Sequence, residues 1–290
     1  MATQQALTLL FNVGIAISIG ATVASLGMSF TVRQLVAPLR RVGLVIALVV
    51  LNAVVIPAVA WGLAKASPMA NQYVAGLVLA TIGMGSAAAL KAAQLTKRAD
   101  LPLAISVVVV LQVVNIVAVP IWAGRVVTGT SISAWDIVKD LLLLVLLPLV
   151  VGLLVKARYP DNSSTWQPEL VRVANLAMVI ALATGIAANW HTIVTMFGSW
   201  VIVTAMVIVV AGLVAGALLG GTDPETRTTT ALVSGTRFAG LGLIIIGTQL
   251  HGAANYMGPA ITFALVSLII PMALAVEIGR RKTAPTTATP

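Results

Sequence analysis

Lys91 and Arg237 are two charges set deep inside apolar stretches, each beside a glycine-rich interruption. No carboxylate at comparable depth is available to neutralise either one. Charge in a bilayer core is costly, so an ionisable residue there marks a cavity, an ion path or a ligand. Two cations at two interrupted helices therefore point to chemistry on anions. Arg237 brings a planar fork suited to carboxylate or phosphate, whereas Lys91 is a point charge that loses its proton when desolvated near another cation. The first interruption reads GLVLATIGMGSAAALKAAQ from Gly76, with Gly83, Gly85 and Ser86 a little over a turn before Lys91. The second reads TTTALVSGTRFAGLGLIII from Thr228, with Ser234, Gly235 and Thr236 directly before Arg237. Ser86, Ser234 and Thr236 are thus candidate ligands alongside the broken backbone, whose unpaired N–H groups attract anions. Paired glycine-interrupted spans in the two halves of a chain are the sequence mark of a transporter's midplane site. Small residues that merely let helices pack closely are the alternative reading of glycine. The adjacent charge tips the balance toward a site.

The elements that must carry these residues are membrane helices. Hydrophobic residues make up 59% of the 290-residue chain and charged residues 9%, where soluble domains carry about a quarter charged. The mean hydropathy is +1.06. Apolar runs delimited by charge, proline and glycine give nine spans: 6–30, 42–64, 73–94, 101–124, 137–157, 169–189, 195–219, 226–250 and 255–279. They are too long and continuous for alternating barrel strands. The first run is longer than a signal-peptide core and is read as a retained span. With no cysteine there is no disulfide or thiolate chemistry. The net charge of +9 resides in loops without an aromatic-interleaved stripe, which excludes a nucleic-acid partner. Neither an HExxH motif nor paired intramembrane carboxylates are present, so an enzyme is not expected, and His191 and His251 are poorly placed for a metal.

Twelve Lys/Arg residues fall on one side of the nine-span pattern, among them Arg40, Arg41, Lys97, Arg98, Lys156, Arg158 and Arg172; Lys65, Arg125 and Lys139 fall on the other. This places the N-terminus outside and the C-terminus in the cytoplasm of a cell membrane. Residues 1–282 form one transmembrane unit, and 283–290 are expected to be a disordered cytoplasmic tail. Asn52 sits five residues before Pro57. Gln112 and Asn115 share a face of the fourth span, where lining a cavity and bonding between helices are both open. Thr222 and Glu225 suggest a capping box ahead of the eighth span.

Taken together, LGMSF from Leu26, LNAVVIPAVAW from Leu51, KRADLPLAIS from Lys97, the TDPETR loop from Thr222 and SGTRFAGLGL from Ser234 resemble the bile acid:sodium symporter family in order and spacing. The resemblance implies an all-α polytopic membrane fold of inverted repeats with two crossed discontinuous helices. It assigns spans 6–30, 137–157 and 169–189 to a panel domain and the other six to a core. It also implies transport of organic anions by alternating access, commonly with sodium. The residues it assigns to sodium are largely replaced. Leu90 and Lys91 stand for a Ser-Asn pair, Ala104 and Val108 for hydroxyls, Val233 for a glutamate and Arg237 for a glutamine; Asn52 keeps amide chemistry. Cations repel sodium, so the expectation is a small-anion carrier without sodium or other cofactor, with Lys91 and Arg237 supplying the charge and a proton link open through Lys91. A sodium symporter with a relocated site, and an anion channel or ligand-sensing membrane protein, are the alternatives. The final helix reads Val266-Ser267-Leu268 at a family motif, which argues against a sterol-sized substrate.

Overall fold

The structure is a computed structural model that describes residues 2–29, 31, 41–127, 133–196 and 199–283, without the side chains of 2–5 and 281–283. Apolar runs in a bilayer must satisfy every backbone group internally, and helices do so within one segment. The described residues form α1 (Ala2–Ser29), α2 (Val42–Ala66), α3 (Asn71–Ile82), α4 (Ala87–Thr96), α5 (Leu101–Val126) and α6 (Ala134–Arg158). They continue with α7 (Pro160–Ala188), the short α8 (Trp190–Met196), α9 (Val201–Leu219), α10 (Pro224–Gly235), α11 (Ala239–Gln249) and α12 (Ala254–Thr283). Among the described residues, eight helical stretches are long and apolar enough to cross a membrane, counting α10–α11 as one. The α3–α4 pair, bent by 63°, makes a ninth. This is the expected all-α polytopic architecture. The seventh span begins later than the hydropathy suggests, because α8 breaks off before Val201. The expected tail lies outside the described residues beyond Thr283, as do Arg33 and Arg40 of the charge count.

Helix α1 packs along α7 and α6, and glycine sets the distance. A Cβ on Gly27 would meet the Cα of Gly152 at 2.9 Å. Likewise, α9 lies against α10 through Gly212, Gly216 and Gly220. Small residues of this kind let backbones approach and gain dispersion where lipid offers no hydrophobic drive.

Two helices contain wide π turns, Leu51–Val55 in α2 and Leu142–Leu146 in α6, each just ahead of a proline. Proline lacks the N–H that would bond four residues back. Pro57 so releases the Ala53 carbonyl, which accepts the Trp122 indole N–H at 2.7 Å. The Asn52 carbonyl in the same turn is left to a partner from another helix.

Helix α10 starts one residue later than a Thr222 cap would place it. Asp223 is the N-cap and accepts from the Thr226 amide at 2.9 Å and the Thr226 hydroxyl at 2.5 Å. Pro224 follows at N1, so the carboxylate, not Thr222 with Glu225, supplies the acceptor.

Candidate functional site

Residues 83–86 and 236–238 leave helical geometry, and the two breaks touch. The Phe238 amide donates to the Gly83 carbonyl at 3.1 Å. A Cβ on Gly83 would fall on the Phe238 carbonyl, and one on Gly242 would fall on the Leu79 carbonyl. The crossing therefore closes only where these side chains are absent. Gly85, at φ +70°, turns the chain into α4.

Arg237 is 4% exposed, and each of its three guanidinium nitrogens donates a hydrogen bond. Its Nε donates to the Thr81 carbonyl at 2.7 Å, Nη1 to Asn52 Oδ1 at 2.8 Å and Nη2 to the Asn52 carbonyl at 3.1 Å. Asn52 in turn donates to the Leu48 carbonyl at 2.9 Å and to Ser234 Oγ at 3.1 Å. These oxygens come from the end of α3, the π turn of α2 and the last turn of α10. Among the described residues no carboxylate pairs with the guanidinium, so its charge is solvated by dipoles and remains uncompensated.

Gln112 and Asn115 secure the first break. Gln112 Nε2 donates to the Gly85 carbonyl at 2.8 Å. Asn115 accepts from the Met84 amide and donates to the Met84 carbonyl, both at 3.0 Å. The two amides also bond each other at 3.2 Å. Of the two roles open to them, the structure gives them the fastening of unwound backbone between helices. Neither they nor Asn52 and Ser234 line the cavity described next.

A cavity of about 540 Å³ lies between α1 and α7 on one wall and α4, the start of α11 and α12 on the other. It runs from the breaks toward the span ends where Ser29, Gln94 and Gln167 sit, the side that carries Lys97, Arg98, Lys156 and Arg158. The first residues of two half-helices, Ala87 and Ala88 of α4 and Ala239 and Gly240 of α11, face it. The positive dipole ends of both half-helices make these termini attractive to an anion. Ser86 caps α4 by accepting from the Ala88 amide at 3.2 Å and lines the cavity as well. Thr236 is 2% exposed on the cavity wall, and its buried hydroxyl has no partner among the described residues. Arg237 reaches the same wall from behind. Lys91 stands exposed on the wall one turn along α4 and makes no hydrogen bond or ion pair among the described residues. Burial at membrane depth, as expected of Lys91 from its span, is relieved by the cavity.

Five of the eight candidates therefore divide differently from their sequence grouping. Asn52, Ser234, Gln112 and Asn115 build the crossing, and Arg237 belongs to both crossing and wall. Lys91, Ser86 and Thr236 line the cavity. Asn175 also lines it, while Thr184 bonds the Ile180 carbonyl of its own helix. Sequence reasoning did not single out Ser18, Thr22, Ser25 and Ser29, a row on α1 that faces the cavity. Their spacing of four, three and four residues was the available signal.

No curated protein matches the chain. A model of the sodium bile acid symporter family matches residues 16–217, from the middle of α1 to near the end of α9, and stops short of the second break. The match covers well over half of the chain and agrees with its apolar helices. The chain belongs to the sodium bile acid symporter family and is a multi-pass secondary transporter of the bile acid and organic anion type, not an enzyme.

Proposed function

We propose that this carrier moves a small organic anion by alternating access without sodium, with Arg237 standing as a built-in cation at the crossing. The observation that carries the reading is the occupation of Thr81 O, Asn52 O and Asn52 Oδ1 by three guanidinium nitrogens. Hard sodium ions need such oxygens, and a fixed charge among them repels a second cation. The residues at the first break fit sodium no better, since Leu90 offers no oxygen and Lys91 is cationic.

The anion is bound at the N-termini of α4 and α11, with Thr236 donating, Ser86 beside it, Lys91 toward the mouth and Arg237 supplying field from behind. Lys91 acts here as an anchor, its amine exposed on the cavity wall toward the mouth. The cavity ends at the crossing, which favours a carrier over a channel. Positive-inside orientation makes its mouth cytoplasmic, with the N-terminus outside, in a cell membrane. The described conformation is then inward-facing, and the core of α2–α5 and α9–α12 rocks against the panel of α1, α6 and α7.

Uptake of labelled organic anions into proteoliposomes, with sodium and pH varied independently, tests this reading. Saturable uptake indifferent to sodium is the expected result. Strict sodium dependence overturns it and requires a relocated sodium site; unitary currents overturn the carrier.

A further inference from the structure

Ser18, Thr22, Ser25 and Ser29 occupy one face of α1 and span about 16 Å at 1.5 Å per residue. A hydroxyl in a membrane helix ordinarily bonds a carbonyl three or four residues back. Ser25 does so with Thr22 at 2.7 Å, and Ser29 with Ser25 at 2.7 Å. Ser18 and Thr22 do not. Ser18 is 2% exposed, lines the cavity and has no hydrogen-bond partner among the described residues. A hydroxyl that bonds no protein group and lines a cavity is set for a ligand.

Its depth fixes what part of the ligand it meets. The neighbouring Ile19 abuts the first turn of α11, where a Cβ on Gly240 would lie 3.5 Å from Ile19 Cγ1 and 3.5 Å from Phe238 Cε2. Ser18 therefore stands level with the anion-binding break and the unpartnered Thr236 hydroxyl, but on the opposing wall. A substrate whose anionic group engages the core presents its adjacent atoms to Ser18 and its remainder to Thr22, Ser25 and Ser29. The wall is not uniformly polar, since Leu26, Val171 and Met178 lie between these hydroxyls.

Resting on the anion reading above, we infer that α1 reads hydroxyl groups on the substrate, with Ser18 as the specificity-determining residue, so that the transported class is hydroxylated carboxylates. A ligand held by Thr236 and Ser18 at once also ties core to panel.

Thermal-shift titration of the full chain in detergent, using hexanoate, 2-hydroxyhexanoate and gluconate as probes, tests the inference. A hydroxylated probe is expected to bind about tenfold tighter than hexanoate, the size of one net hydrogen bond. Ser18→Ala combined with Thr22→Val should collapse that ratio to about twofold, and Ser18→Thr, which keeps the hydroxyl, should retain it. The ratio is insensitive to a general loss of stability. Equal or tighter binding of hexanoate overturns the inference and leaves the anion reading intact, as does a ratio that survives the double variant. Failure of every carboxylate to bind overturns both.

Discussion

Replacing Arg237 separates the charge of the guanidinium from its hydrogen bonds. Arg237→Gln removes the charge and at least two of the three bonds to Thr81 O, Asn52 Oδ1 and Asn52 O. Since the side chain reaches the cavity wall from behind, a bound carboxylate lies about one side-chain layer away. At about 6 Å and an effective dielectric near 20 the attraction is about 3 kcal/mol, and solvent in the open mouth halves it. The expected loss is about 1.5 kcal/mol, or about a tenfold rise in KM. Stability should fall too, by about 2–4 kcal/mol, because two buried carbonyls lose their donor while the cost of burying a cation is relieved. Arg237→Lys keeps the charge but cannot reach three acceptors. It should match the glutamine variant in lost stability while holding KM within about threefold of wild type. Proteoliposome uptake gives KM, and thermal unfolding in detergent gives stability. Equal KM values for the two variants, or an unchanged KM in Arg237→Gln, would refute the reasoning that charge at the crossing binds the anion.

Other residues make narrower predictions. Lys91→Ala should raise KM by about three- to tenfold and weaken the salt dependence of uptake, with Lys91→Arg near wild type, because an exposed anchor acts through screened charge. Gly83→Ala should cost about 3 kcal/mol or more in thermal unfolding, since the added methyl meets the Phe238 backbone carbonyl rather than a yielding side chain. The Asp223 carboxyl, outside the spans, is held below its ordinary value of 3.8 mainly by the Thr226 hydroxyl and amide. Its contribution is fully present above that value and is lost as pH falls through the lowered one. Asp223→Asn should accordingly flatten the acid limb of a stability–pH profile, and an unaltered limb would exclude the cap as its source.

The breaks were legible because glycine beside a charge inside an apolar run has few explanations other than a cavity. What Arg237 touches was not. Its acceptors lie 156 and 185 residues away along the chain, and two of the three are backbone carbonyls that carry no sequence signature. Gln112 and Asn115 could be placed on one face, but a face does not say whether it meets a cavity or an unwound backbone. The hydroxyl row on α1 was visible as spacing, yet serines in membrane helices so often bond their own helix that spacing does not reveal which two are left over. At α10 the error was a single residue: Thr222 and Asp223 are both good caps, and Pro224 decides between them.

A rocking transporter is a lever, and a lever fails at its weakest section. Both broken helices lack their own backbone ladder at the same level of the membrane, which would ordinarily make that level the compliant one. The Arg237 fork fastens three separate segments there, and the Gln112–Asn115 pair fastens a fourth. Stiffness is restored across the gap by side chains, so force generated at the ligand is passed through the core as a whole instead of being absorbed by bending at the break.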